Sequence, residues 1–363
     1  MVEYCAMKRV MITTGGTGGH INPALAFADL LKKQEPDCDI IFVGSDDRME
    51  AELIPAHGYQ FIGLRMKSTY GGWINKVKSV LSLIAAERKV EKMLKDYRPD
   101  ACVGFGNYIS VPLIVAAHRL GIPTMIHEQN SFAGKANKML AKYADAIVGC
   151  YETNLEQFPK DKVRLLGNPE SSLAADTKYT GLAASYGLRT DLPFVLFMMG
   201  SLGSSSVAQV LDGACALFDK DFQVLIAAGK ANDYEFKCQS DLVKIVPYVD
   251  GAAMLKEAEL SVTRAGATTL AEITAIGAAS VLIPSPYVPN NHQVYNAMEL
   301  VRSHAAVMIE EKDLTPETLS AEVNRLMHDK QERMLLKQNA LQLGRRDAAY
   351  RMIDWLKELT AHE

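Results

Sequence analysis

Two doubly wound α/β domains in tandem, both Rossmann-like, are what this 363-residue sequence predicts, on three observations. Short apolar strands alternate with amphipathic stretches almost throughout, the pattern of parallel sheets with helices on both faces. The alternation restarts near Pro193. Each half also opens alike, with an apolar strand running into a glycine loop: Gly15-Gly16-Thr17-Gly18-Gly19 in the first and Gly200-Ser201-Leu202-Gly203-Ser204 in the second. At roughly 150 residues per domain, the length supports two separate cores.

In chain order, the first half places strands at Arg9–Thr13, Asp39–Val43, Ala101–Phe105, Pro123–His127 and Ala146–Cys150, with amphipathic helices over Pro23–Lys33 and Ile74–Lys95. The second half repeats the pattern with strands at Phe194–Met198, Phe222–Ala227, Leu242–Val246, Leu260–Thr263 and Ser280–Ile283. Gly167-Asn168-Pro169 and the weakly patterned residues up to Pro193 read as the linker. Ligands of open α/β sheets sit beyond the carboxyl ends of the strands, so both glycine loops face ligand space, and two such domains face to face would enclose a cleft.

Composition removes several function classes. Hydrophobic residues make up 48% and charged residues 23%, too apolar for a disordered chain. The net charge of −4 excludes charge as a global basis for nucleic-acid binding. The apolar runs are short, as in Val80 to Ala86 with Ser82 inside it, well below the 18 or so residues of a membrane span. Met1 to Val10 carries Glu3 and Lys8 and leads straight into a strand, unlike a signal peptide, and Met7 offers an alternative start. The cysteines (5, 38, 102, 150, 215 and 238) form no CxxC pair, which fits free thiols in a reducing, cytosolic compartment. Asp37-Cys38-Asp39 and Asp219-Lys220-Asp221 have the spacing of a divalent-metal site but precede strands, so they fall at the amino ends of the sheets and read as solvated turns. No metal site is expected.

Four segments could carry chemistry. The loop Thr14 to His20 joins a strand to a helix, with Asn22 as the expected cap and Pro23 at the first helical position. Its glycines, Gly18 and Gly19 among them, let the backbone approach an anionic or sugar ligand, and the helix start offers free amides. The dinucleotide spacing GxGxxG is missing, and strand Asp39–Val43 ends in Gly44-Ser45 rather than an acidic residue, so a nicotinamide cofactor is not indicated. His20 stands where loop meets helix, in reach of the ligand. The segment Arg264 to Glu272 admits two readings. Thr269 and Glu272 have capping-box spacing; alternatively the amides of Ala267, Thr268 and Thr269 hold a phosphate and Glu272 accepts from a ribose diol. Pro289-Asn290-Asn291-His292-Gln293 suits hydroxyl recognition or a solvated turn, and His127-Glu128-Gln129-Asn130 places four polar groups at a strand end. Finally, from Arg65 to Lys95 eight basic residues (65, 67, 76, 78, 88, 89, 92, 95) stand against two acidic ones (87, 91). Trp73, Ile74, Val77, Val80, Leu81 and Ile84 lie among them, a composition that suits a lipid headgroup layer. A core-facing helix with a solvated basic face is the alternative, although Trp73, expected in a loop after Gly71-Gly72, fits it poorly.

The segments TTGGTGGHINPALA (13–26), VGSDDRMEAELIPAHGY (43–59), HEQNSFAGKANKMLAK (127–142), GNP (167–169), RAGATTLAEI (264–273) and NNHQVYNA (290–297) are spread along most of the chain. The sequence resembles the MurG family, the peptidoglycan N-acetylglucosaminyltransferases of bacteria. The resemblance implies a GT-B fold of two Rossmann-like domains: 1–168 facing acceptor and membrane, 169–340 binding UDP-GlcNAc, and a C-terminal helix within 341–363 packing back on the first domain. It implies inverting transfer of GlcNAc from UDP-GlcNAc to the MurNAc 4-hydroxyl of lipid I, giving lipid II for cell wall biogenesis, cell shape and cell division, with no cofactor. By motif, Arg264, the amides of Ala267 to Thr269, Glu272, His292 and Gln293 would form the donor site, with Tyr248 and Val249 flanking the uracil and Ser201 in the second glycine loop. Thr17, Gly18, Gly19, His20 and Asn130 would lie near the transferred sugar and acceptor, with His20 the first choice of general base and Glu128 the second. The expected location is peripheral, on the cytoplasmic face of the plasma membrane, bound to anionic lipid through the Arg65–Lys95 region. A UDP-GlcNAc 2-epimerase shares the nucleotide site but has no use for that surface, and a weakened binder of lipid-linked precursors fits the altered loops.

Those alterations are specific. Glu170-Ser171-Ser172 follow Gly167-Asn168-Pro169 where the family usually has an Arg. Asn107 and Val111 replace glycines in the loop from Gly104 to Pro112. The second glycine loop reads Met199-Gly200-Ser201-Leu202-Gly203, where Gly-Gly-Ser-Gln-Gly is common.

Overall fold

A computed structural model describes residues 6–66, 73–200, 203–229 and 233–361, without the side chains of 73–81, 83 and 84. The chain divides into two units, Met1–Ser172 with Asp347–Glu363, and Leu173–Arg346.

Unit 1 runs β1 (Arg9–Thr13), α1 (Gly18–Gln34), β2 (Asp39–Ser45), α2 (Glu50–Ala56), β3 (Gln60–Leu64), α3 (Trp73–Tyr97), β4 (Ala101–Gly104), α4 (Val111–Arg119), β5 (Thr124–Glu128), α5 (Lys135–Leu140), β6 (Ala146–Gly149), α6 (Asn154–Gln157), β7 (Val163–Leu165) and the start of α7 (Glu170–Asp176). Unit 2 runs β8 (Phe194–Met198), α8 (Ser205–Ala214), β9 (Gln223–Ala227), β10 (Val243–Val246), α9 (Gly251–Glu257), β11 (Leu260–Thr263), α10 (Ala267–Ile276), β12 (Ser280–Leu282), α11 (His292–Arg302), β13 (Val307–Met308), α12 (Pro316–His328) and α13 (Lys330–Leu343). The last helix, α14 (Ala348–Thr360), belongs to unit 1.

Both sheets are parallel. Unit 1 has the order β3-β2-β1-β4-β5-β6-β7 and unit 2 the order β10-β9-β8-β11-β12-β13. The order reverses beside the first strand of each unit, between β1 and β4 and between β8 and β11. Those reversals are where a doubly wound sheet opens a crevice at its carboxyl edge. The loops after β1, β4, β8 and β11 therefore border the two places, among the described residues, where topology itself makes ligand space. The central strands are fully buried, as in Val10 to Thr13 and Val195 to Phe197, because helices cover both faces.

Several expectations need correction. Strands β3, β7 and β13 were not foreseen: all three are sheet edges, half-buried and too short or polar to read as apolar runs. Helix α1 starts at Gly18, with extended Thr17 as its cap residue, so neither Asn22 nor Pro23 begins it. Pro23 lies inside the helix and has no N–H for the carbonyl four residues back, that of Gly19. Trp73 is the first residue of α3 and not part of a loop. The C-terminal half of α3 buries Ala86, Val90 and Leu94 against α4 and exposes Arg88, Lys89, Lys92 and Lys95, a core-facing helix with a solvated basic face. The side chains of Trp73, Ile74, Lys76, Lys78 and Leu81, and all of Lys67, lie outside the described residues, as does Ser201. The DxD triplets end in ordinary contacts. Asp39 accepts from the Tyr97 hydroxyl at 3.0 Å, and Asp221 pairs with His328 at 3.1 Å.

The boundary falls after Ser172, not after 168, and the return begins at Asp347, not 341. The first residues of α7 are held by unit 1, where Ser172 Oγ accepts the Ala349 amide at 3.1 Å. From there α14 buries Ala348, Ala349, Met352, Ile353, Trp355 and Leu356 against a core that includes α1. Lys357 bonds Glu35 at 2.5 Å, and the Arg164 guanidinium lies 4.3 Å over the Trp355 ring.

Candidate active site

In unit 1 the glycine loop is defined by what presses on it. Glu50, fully buried, accepts the Gly16 amide at 3.0 Å and the Ser45 amide at 3.1 Å, which ties the loop to the end of β2. A Cβ on Gly15 would stand 2.2 Å from Glu50 Oε1. Gly16, at φ +89°, would place a Cβ 2.2 Å from Asn107 Nδ2. Asn107 itself holds a positive φ of 64°, stabilised by its own side chain. Oδ1 accepts the Tyr108 amide at 2.6 Å, and Nδ2 donates to the Gly15 carbonyl at 3.2 Å. The Asn107 side chain thus clips its own loop to the β1 loop.

His20 is half-buried at the third position of α1, its Nδ1 3.0 Å from the Thr17 hydroxyl. Gly18 and Gly19 occupy the first two positions, whose amides have no partner within a helix. Thr17, Gly18, Gly19 and His20 thus form one surface at the carboxyl end of β1, and Asn130 follows the carboxyl end of β5, two strands along the same sheet.

The HEQN segment is mostly buried. His127 donates from Nε2 to the Gly167 carbonyl at 3.1 Å; burial pushes its pKa down to about 4, so the ring is neutral at pH 7. Glu128, the second candidate base, is closed off. Its carboxylate accepts from the amides of Asn130 (3.1 Å) and Gly134 (2.9 Å) and from Asn137 Nδ2 (2.9 Å). Burial raises its pKa while these donors oppose the rise. That environment makes it the anchor of the Asn130 turn rather than a group open to a substrate proton. The pKa of Glu170 is pushed up to about 7, first by burial and then by Asp29.

In unit 2 the capping-box reading of Thr269 and Glu272 fails. The cap residue of α10 is Gly266, with no side-chain cap, and Ala267, Thr268 and Thr269 are the first three helical residues. Their amides are the ones a helix leaves unpaired. Glu272 Oε2 comes within 3.9 Å of where a Gly251 Cβ would lie, at the start of α9. Tyr248 is raised in pKa by burial and then by the charges of Asp250 and Glu272, which places Glu272 near the half-exposed Tyr248 ring. Val249, beside it, is buried.

Arg264 is not free. It donates to Glu311 Oε2 at 2.6 Å, to the Ile283 carbonyl at 3.2 Å and to Ser204 Oγ at 2.8 Å, and Glu311 also accepts from Ser206 at 2.8 Å. The network fixes the end of the second glycine loop and the start of α8. Glu311 was missed because it lies 47 residues from Arg264, in a charge run with no motif. His292 donates from Nδ1 to the Pro289 carbonyl at 2.8 Å, with its pKa lowered by burial, and Gln293 accepts the Ser285 amide at 2.8 Å. Asn290 and Asn291 hold consecutive left-handed conformations before α11, a strained approach of the kind kept at functional loops. All the donor-side candidates among the described residues thus follow strand ends of one sheet.

Residues 10–148 match the glycosyltransferase family 28 N-terminal domain and residues 194–352 the glycosyltransferase family 28 C-terminal domain. The UDP-N-acetylglucosamine–N-acetylmuramyl-(pentapeptide) pyrophosphoryl-undecaprenol N-acetylglucosamine transferase of Pediococcus pentosaceus is 38% identical over 97% of this chain and 99% of its own. Among solved structures, Acinetobacter baumannii MurG aligns with a TM-score of 0.75 at 26% identity, over 97% of this chain and 99% of its own. A putative UDP-N-acetylglucosamine 2-epimerase from Listeria monocytogenes aligns at 0.68 with 13% identity, over 99% of this chain and 98% of its own, a likeness of fold alone.

Glu311→Ala should destabilise unit 2 by about 3–5 kcal/mol, because it strands the buried Arg264 charge. Denaturant unfolding of Glu311→Ala, Arg264→Met and the double variant checks this. The double variant should lose less than the sum of the two single losses, and simple additivity would mean that the pair is not coupled.

Proposed function

This chain belongs to glycosyltransferase family 28, and from that premise we propose that it transfers N-acetylglucosamine from UDP-N-acetylglucosamine to the 4-hydroxyl of the muramyl sugar of lipid I, forming lipid II with inversion. The observation that carries this reading is the 38% identity, over 97% of the chain, to a relative named for that transfer. The uncapped start of α10, with Glu272 and Tyr248 near it, supports the donor half on physical grounds.

On this reading the amides of Ala267, Thr268 and Thr269 hold the diphosphate and Glu272 accepts from the ribose hydroxyls. Tyr248 and Val249 flank the uracil, and His292 and Gln293 serve the donor's remaining polar groups. Ser201, in the second glycine loop, joins the donor side by motif. The acceptor oxygen attacks the anomeric carbon while the bond to the diphosphate breaks and its electron pair leaves on UDP. A helix N-terminus stabilises that growing charge with dipoles already in place. The acceptor's proton passes to His20, with Thr17, Gly18, Gly19 and Asn130 lining the same end of the unit 1 sheet.

We also propose peripheral attachment at the cytoplasmic face of the membrane. No helix among the described residues is long and apolar enough to cross one, and lipid I, anchored by its undecaprenyl chain, must be met at the bilayer surface. Lys67, Lys76 and Lys78 supply charge for anionic headgroups, and Trp73, Ile74 and Leu81 supply shallow insertion.

Incubation with UDP-N-acetylglucosamine and a lipid I analogue should give the transfer product, and no epimer should form from the nucleotide sugar alone. Glu272→Ala should cost about 1.5–3 kcal/mol of UDP binding, the worth of charge-assisted hydrogen bonds, with the melting temperature nearly unchanged; the reverse pattern would make it a structural residue. His20→Ala should lower kcat at least about tenfold with UDP affinity preserved, since base catalysis acts only in the transition state. A silent His20→Ala would move the base elsewhere. Lys76→Glu with Lys78→Glu should reduce sedimentation with anionic vesicles and activity on bilayer-embedded lipid I, yet spare a short-chain soluble acceptor. Equal loss on both acceptors would refute the membrane role.

A further inference from the structure

Gln129 sits in the middle of the HEQN segment, 2% exposed, and its two ends have different fates. The Nε2 amide is spoken for. It donates to the Phe105 carbonyl at 3.0 Å and, at 3.4 Å, to the Gly19 carbonyl, the acceptor that Pro23 leaves without a helical donor. Two carbonyl partners on one side fix the orientation of the amide, since a flip would set oxygen against oxygen. Its Oε1 therefore points the other way, and it is buried with no hydrogen-bond partner among the described residues. Such orphan acceptors are rare, and each calls for a ligand, a water or a function.

What Oε1 faces is given by Gly106, whose φ of +79° and missing side chain keep a small space open. A Cβ there would stand 3.5 Å from Gln129 Oε1, 3.3 Å from His20 Nε2 and 3.0 Å from His20 Cδ2. The orphan oxygen and the Nε2 edge of the His20 ring thus border one space of about atomic size. The opposite ring nitrogen, Nδ1, is 3.0 Å from the Thr17 hydroxyl.

We propose that Gln129 fixes the tautomer of His20: Oε1 accepts the Nε2–H, directly or through one water over Gly106, so that Nδ1, beside Thr17, is the nitrogen that takes the acceptor's proton. The inference rests on the reading of His20 as general base. In the step, the Thr17 hydroxyl gives its proton to Nδ1 and receives the proton of the acceptor hydroxyl. The acceptor oxygen bonds to the anomeric carbon, and the electron pair of the broken bond leaves on UDP. The resulting imidazolium carries its second proton on Nε2, against Oε1, whose dipole stabilises the charge, and it later releases one proton to solvent. Gln129 acts through His20 and is a positioning residue.

The sign of its effect can be measured. An acceptor that stabilises the imidazolium raises the pKa of the base, so replacing it with an apolar group moves the acid limb of the kcat/KM profile to lower pH, and replacing it with a carboxylate moves the limb to higher pH. Gln129→Leu should lower kcat/KM for a soluble lipid I analogue about tenfold, with the acid limb displaced downward and UDP affinity unchanged. Gln129→Glu should displace the limb upward. His20→Ala should remove the limb. If it does, and both Gln129 variants keep the wild-type limb, the inference fails while the base assignment stands. A limb that survives in His20→Ala overturns the base assignment itself. A second readout needs no variant at position 129: long-range ¹⁵N–¹H correlation on histidine-labelled full-length enzyme, with the His20 signals identified by their loss in His20→Ala. The Nε2–H pattern is expected, and an Nδ1–H pattern overturns the proposal.

Discussion

A glycine loop at the reversal point of a parallel sheet must be both open to a ligand and fixed in space, and glycine is the residue that loses most freedom when it is fixed. Each unit meets this with a buried carboxylate. In unit 1 Glu50 bonds the amides of Gly16 and Ser45 directly, and the space beneath Gly15 is filled by the same carboxylate. In unit 2 Glu311 works at one remove, holding Arg264 and Ser206, while Arg264 in turn holds Ser204 and the end of β12 through Ile283. Buried carboxylates are costly unless their oxygens are satisfied. These are satisfied by the very loops they order, so carboxylate burial and loop geometry depend on one another.

The same division of labour runs through the HEQN segment. Glu128 has both oxygens committed to the turn at Asn130 and Gly134, and Asn137 ties that turn back to the His127 carbonyl. His127 is held neutral by burial and bonded to Gly167. Of the four residues, these two serve as framework and Asn130 as surface, and Gln129 joins the framework to α1 through Gly19 and to the β4 loop through Phe105.

How much of this was legible follows from which signals are local. Strands β1, β8 and β11 run over the residues expected, because a strand buried on both faces must be apolar throughout. The edge strands β3, β7 and β13 carry no such signature. The start of α1 was misplaced because Asn-Pro is a strong local signal for a helix start, and it lost to a tertiary contact: Gln129, 110 residues away, caps the carbonyl that Pro23 leaves open. Thr269 and Glu272 misled in the same way, since capping-box spacing describes any Thr and Glu three apart, and only the backbone shows the helix beginning at Ala267. Motif resemblance found Arg264 but could not find Glu311, whose only mark is its place in space. Nor could it have foreseen that Asn107 supports its own left-handed backbone with its own side chain.

The charge arrangement bears on how the proposed reaction would be stabilised. Arg264, the one donor-side arginine indicated by motif, is paired with Glu311 at 2.6 Å, and each side chain is about nine-tenths buried. The pair is neutral, and its geometry is spent on the loop. On the proposed reading, the leaving diphosphate is therefore met chiefly by the α10 amides, equivalent to about half a unit of positive charge at a helix start. Such dipoles cost no reorganisation as charge develops, and they do not hold the product as a fixed cation would. The proposed acceptor side follows the same rule: Thr17 and Gln129 bring neutral dipoles to the His20 ring. On the proposed reading, with His20 as the base, the ionic changes of the displacement would fall on that ring and on the departing nucleotide, which is where general-base assistance needs them.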